Sequence, residues 1–226
     1  MSKFFPVIHC QNAEQTYRNL NVAQEAGADG VFLINHKIPH VFLTLLAHQA
    51  VDKFPELPIG VNYLDLDPVS ALAVIPEGVT GLWSDDPKII ENAYAQEAAQ
   101  IFLDYRKARG CPVSFYGSVA FKYQPQPKSL WDMTKLASEY MEVVTTSGSA
   151  TGSPPDFEKI MMMKHALGSK PLAIASGIDA KNVRDYLPYV NDFLVATSIS
   201  SDFFNLDLAK AKELAEVIHG YVKKTI

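Results

Sequence analysis

Eight times in succession, a short apolar run gives way to a longer stretch with helical spacing, and no other feature narrows the fold as far. The runs predict strands over residues 6–10, 30–35, 58–64, 79–84, 112–121, 140–145, 171–175 and 193–197. The stretches between and after them predict helices over 13–26, 40–54, 67–75, 88–109, 130–138, 157–167, 181–187 and 208–223. Strands that are apolar on both faces and rich in Val and Ile belong to parallel sheets covered on both sides. Strand–helix alternation makes each connection a right-handed crossover. Eight such units within 226 residues, with no change of composition and no linker, predict one (β/α)8 TIM barrel spanning 1–226. A doubly wound open sheet is the competitor. It would more often place a Gly-rich turn after the first strand, where this chain has HCQNAEQ.

Composition narrows the partners. Net charge is −5 with no basic cluster, which argues against nucleic acid or a charged membrane surface. No apolar run approaches the length of a transmembrane helix, and the first ten residues do not read as a signal peptide. Two cysteines, Cys10 and Cys111, do not form a disulfide framework, so a reducing, cytoplasmic setting is the expectation. A homo-oligomer stays open.

A barrel gives function an address, because polar residues at the carboxyl ends of its strands face the ligand. Here those ends carry His9, Asn35, Asn62, Asp65, Asp85 and Lys122, then the TTSGSATGSPPD loop with Ser147 and Gly148, then Gly177, then Thr197 and Ser198. The loop's glycines and hydroxyls suit a lid over an anionic or sugar-like ligand, and Pro154-Pro155 suit a helix start. Phosphate is commonly held after strands seven and eight of a barrel, which points to Gly177, Thr197 and Ser198. Lys122 reads as an electrostatic partner or, less readily, a Schiff-base amine. Asp65 and Asp85 are candidates for acid–base work or for hydrogen bonding a ribose, whereas Asp67 and Asp86, each before a proline, read as helix N-caps. His36 and His40 have the spacing of a metal pair, but Pro39 between them argues against one helix face, and no metal is assigned. His9 is as compatible with a packed histidine as with a ligand contact, and Trp83 and Tyr63 with stacking on a ring or with packing. Met161–Met163 read as core filler or a soft interface, not as a cofactor box. No Walker loop, CxxC, nucleophile elbow or HExxH occurs, and the cofactor stays unknown.

ATGSPPD (150–156), the SGI segment from Ser176 and YLPYVNDFLVATSIS (186–200) resemble the BtpA family, as do AGADGVFLIN, IGVNYL and DYRKARG less specifically. The resemblance implies a ribulose-phosphate-binding type of barrel with a phosphate pocket. One family member is named for photosystem I biogenesis. The chain departs from the family pattern at Ile34, where an acidic residue is usual, and at Asp65-Leu66, where Arg-Asn is. It departs again at Lys122-Tyr123 in place of Lys-His, and at Ala196 in place of Gly. Two functions are therefore expected. One is an enzyme on a small phosphorylated metabolite (a sugar phosphate or nucleotide-like compound), with transferase or lyase chemistry that includes glycosyl or phosphoribosyl transfer. The other is a non-catalytic assembly or regulatory barrel of the photosystem I biogenesis type.

Overall fold

The structure is a computed structural model, and it describes residues 1–91, 94 and 96–221. The strands are β1 (Lys3–His9), β2 (Val31–Ile34), β3 (Ile59–Asn62), β4 (Gly81–Ser84), β5 (Ser114–Ser118), β6 (Val143–Thr146), β7 (Leu172–Ile174) and β8 (Asp192–Val195). The helices are α1 (Ala13–Glu25), α2 (His40–Lys53), α3 (Pro68–Val74), α4 (Glu97–Arg109), α5 (Leu130–Ala137), α6 (Phe157–Leu167), α7 (Val183–Tyr186) and α8 (Leu208–His219). Every strand pairs in parallel with its sequence neighbours, and β8 returns to β1 through Lys3↔Asp192 to Pro6↔Val195, closing the TIM barrel.

Side chains alternate across each strand, so one set fills the barrel and the other meets the helices. The inner set is aromatic-rich: Phe5, Phe32, Trp83, Tyr116 and Phe121 pack with Val7, Ile34, Val143 and Leu194. Phe32 can lie flat in the barrel because β3 and β4 present glycines to it. A Cβ on Gly60 would fall 2.5 Å from its ring, and one on Gly81 3.2 Å away. Lower down, the buried Tyr116 hydroxyl donates to Asp192 at 2.8 Å, tying β5 to β8. The outer set, including Ile8, Leu33, Val61 and Leu82, packs under Leu20, Leu43, Leu72 and Leu214 of the surrounding helices.

Several expected boundaries shift. β1 begins at Lys3 rather than residue 6, because pairing with β8 extends it backward. The expected helix over 88–109 starts at Glu97, and 87–90 take no regular structure. Residues 92, 93 and 95 of that helix, and 222–223 of the last one, lie outside the described residues. Asp67 caps α3 by accepting from Val69 and Ser70 N–H, as expected. Asp86 caps no helix: it accepts from Lys88 N–H at 3.0 Å within a turn where Lys88 has φ +60°. Pro154 and Pro155 precede α6 without entering it. Met163 alone of the three methionines is fully buried, and Met162 faces solvent.

Candidate functional site

A cavity of about 570 Å³ opens over the carboxyl ends of the strands. Its lining includes His9, His36, Lys122, Gly177, Thr197 and Ser198, so distant strand ends do converge on one cup. The loop after β6 contributes Thr151 and Gly152, and a 3-10 turn, Thr197–Ile199, follows β8.

The candidate carboxylates occupy other places. Asn35, at the end of β2, donates to Asp65 at 2.7 Å and accepts from Leu64 N–H. Asp65 also takes His40 Nδ1 at 2.9 Å. Burial raises its pKa, but the bonds from His40 and Asn35 outweigh that and hold it below the usual carboxylate range. One strand further on, Asn62 donates to Asp85 at 3.0 Å. Burial pushes Asp85 up, against the Asn62 bond and the charge of Lys122. Two successive strand ends thus use Asn to clasp the Asp of the next loop, and neither Asp lines the cavity. His40 faces Asp65 through Nδ1, while His36 stacks on His9. Among the described residues no group of three or more His, Cys, Asp or Glu is placed to hold a metal ion.

Ser147 is fully buried, accepting from Lys122 N–H at 2.8 Å and donating to Gly148 O. Its hydroxyl is withdrawn from any ligand. Gly148 and Gly177 are needed for a close approach, but of the protein to itself: a Cβ on either would fall 2.1 Å from the 153–154 backbone. Gly177 also has φ +69°, the left-handed region where a side chain is strained. Ser176 completes the docking, accepting from Gly152 N–H at 3.1 Å and donating to Ala150 O at 3.3 Å. The polar loop is therefore tied to the end of β7.

His9 stacks on His36 with ring centroids 4.7 Å apart and planes 9° apart. Its Nδ1 is buried without a partner, as is the hydroxyl of Thr145, which β6 alternation turns into the barrel. Burial, with the charges of His36 and Lys122, lowers the His9 pKa to about 4. Burial and Lys122 lower that of His36. In the unfolded chain His9 takes its proton near pH 6.5, so between pH 6.5 and 4 the unfolded state binds more protons. Stability present at neutral pH is then lost on acidification, up to about 3 kcal/mol. Urea denaturation of wild type and His9→Gln at pH 7 and 4.5 checks this; an equal loss in both rejects it.

Two contributors, Lys159 and Phe203, have no place in the sequence reading. Lys159, in the first turn of α6, donates to Ala120 O and to Ser147 O at 2.8 Å. A cation at a helix N-terminus opposes the helix dipole, and that misplacement was the available signal. Ser176, which the sequence places with Gly177 at the ligand-facing end of strand seven, spends its hydroxyl on Gly152 and Ala150 of the loop. Phe203, half exposed in the segment after β8, edges onto His9 at 4.3 Å and His36 at 5.5 Å.

Fold and cavity together define a TIM-barrel protein with an open mouth at the carboxyl ends of its strands. The chain belongs to the BtpA family, whose profile matches residues 11–220. It is 28% identical over 166 residues to the photosystem I biogenesis protein BtpA of Synechocystis, covering 66% of this chain and 56% of that protein. The match thus spans little more than half of the Synechocystis relative. An uncharacterized protein of Thermococcus kodakarensis is 25% identical over 90% of this chain and 85% of its own length. Among solved structures, phosphoribosyl anthranilate isomerase from Thermus thermophilus superposes with TM-score 0.69 at 11% identity, covering 96% of this chain and 98% of that one. Thiamine phosphate pyrophosphorylase from Pyrococcus furiosus gives 0.66 at 12%, covering 96% of each. At such identities these likenesses show the fold alone. No helix among the described residues is long and apolar enough to cross a membrane.

Proposed function

We propose that the cavity binds a small phosphorylated metabolite and that the protein acts on it chemically. The observation that carries this is the meeting of Lys122, His9 and His36 with the ends of β7 and β8 around one cavity. Lys122 supplies charge for an anion, and Gly177, Thr197 and Ser198 line the wall where barrels commonly seat phosphate. Ser198 donates its hydroxyl proton to Ile178 O, so it lines the wall without that proton to offer, and Lys122 carries the charge. Proton transfer falls to the histidines, because Asp65 and Asp85 are spent on Asn35 and Asn62. Histidines uncharged at neutral pH can accept a proton from substrate, as carbonyl or anomeric-carbon chemistry of a lyase or transferase requires. The phosphoribosyl anthranilate isomerase and thiamine phosphate pyrophosphorylase barrels, named for phosphorylated compounds, share this fold, and that is the support they give.

A second reading, binding without turnover in an assembly role, draws on the name of the Synechocystis relative, a photosystem I biogenesis protein, and on the same commitment of both carboxylates. Calorimetry with ribose 5-phosphate tests the shared part. Wild type should bind, and Lys122→Ala should bind at least tenfold more weakly, the loss of one charge-assisted contact. Absence of binding by the intact protein to any phosphorylated probe rejects it. Turnover then separates the two readings.

A further inference from the structure

The aromatic end of the cavity is not needed to hold a phosphate. His9 and His36 lie face to face, and Phe203 stands at 78° and 72° to their planes, so the three rings form a corner. Trp83, Ile34 and Leu194 continue the apolar wall. Phe203 keeps 51% of its surface exposed, yet its loop is fixed with unusual care. Gln15 and Asn19, buried amides of α1, both donate to Phe204 O, and Asn19 accepts from Leu206 N–H at 3.0 Å. Asp202 accepts from Phe204 and Asn205 N–H, and Arg18 donates to Asn205 at 2.9 Å. Two buried polar side chains from another element are thus used to hold one exposed phenyl ring over the cup. Rigid placement of an aromatic wall is what lowers the entropy cost of stacking a ligand on it.

We propose that this corner is a subsite for a planar, uncharged aromatic or heteroaromatic ring, so that the ligand is a phosphorylated compound carrying such a ring. The proposal rests on the phosphate reading above and narrows it. The phosphate goes toward Lys122 and the β7–β8 ends, and the ring stacks against Phe203 and the histidine pair. Keeping the histidines uncharged fits a neutral ring, since two imidazolium ions face to face would repel each other. The cavity is large enough for this: about 570 Å³ falls within the range of roughly 300–1,000 Å³ that encloses whole small-molecule ligands.

The test compares ribose 5-phosphate, which lacks a ring, with adenosine monophosphate and phenyl phosphate, by calorimetry on the intact protein. At least one ring-bearing probe should bind roughly tenfold tighter than ribose 5-phosphate, the gain that a single stacked ring gives. Phe203→Ala should erase that gain while leaving ribose 5-phosphate within twofold, and Phe203→Tyr should keep it. Preference for adenosine monophosphate assigns the ring to a nucleobase, and preference for phenyl phosphate to a simple arene. If ribose 5-phosphate binds and neither ring adds affinity, or if the gain survives Phe203→Ala, the subsite is rejected and the phosphate reading stands. If no probe binds, both fall.

Discussion

Lys159→Met should cost about 3 kcal/mol of stability, and Lys159→Arg much less. The ammonium donates to Ala120 O and Ser147 O, two carbonyls of buried residues at the ends of β5 and β6. Each buried acceptor left unpaired costs about 1–3 kcal/mol, and water entering beside the half-buried lysine offsets the upper end of that sum. The loss would not stay local. Ala120 and Tyr123 hold φ of +48° and +66° on either side of Lys122, a strain that persists only where neighbouring bonds enforce it. Lys122 also donates its backbone N–H to Ser147. Removing Lys159 therefore loosens the loop that presents Lys122, and affinity for phosphate should fall along with stability. Burial lowers the Lys159 pKa to about 8, below the 10.5 of the unfolded chain. Between those values the unfolded state binds more protons, so wild type should gain stability on Lys159→Met as pH rises from 8 to 10.5. Equal urea midpoints for wild type and Lys159→Met at pH 7 would show that the two bonds contribute nothing.

The second large effect belongs to Gly177→Ala. A Cβ there would sit 2.1 Å from the Ser153 and Pro154 backbone, at φ +69°. The left-handed conformation alone costs about 1–2 kcal/mol, and the collision has no flexible side chain to absorb it. The polar loop must lift from β7, breaking the bonds of Ser176 to Gly152 and Ala150. Ligand affinity should fall at least tenfold, and the 147–156 loop should become sensitive to protease. Gly152→Ala is the matched control: its φ is +80°, but nothing lies within 4 Å of an added Cβ. It should show only the conformational penalty and a protected loop. Equal proteolysis of the two variants would mean that the loop is not held by its contact with Gly177.

The polar tips show where sequence reading stops. That His9, Lys122, Gly177, Thr197 and Ser198 would share a cup follows from their places at strand ends once the barrel is granted, and they line one cavity. Asn35, Asn62, Asp65 and Asp85 stand at equivalent places, yet they bond to one another in two clasps. The difference lies in partners 23 to 30 residues away, set by the lateral register of β2, β3 and β4. Phe203 was hidden for the same kind of reason. Its segment reads as polar, and only the bonds from Gln15 and Asn19, nearly the whole chain away, turn one of its two phenylalanines over the histidines.

By itself the sequence determined the eightfold alternation, the parallel pairing and the end of the barrel that opens, because each depends on local periodicity and on the handedness of every crossover. Tertiary structure alone decided which polar groups remain available to a ligand and which are consumed in holding the rim. A hydrogen bond needs its partner within about 3 Å, and closing the barrel is what brings those partners together.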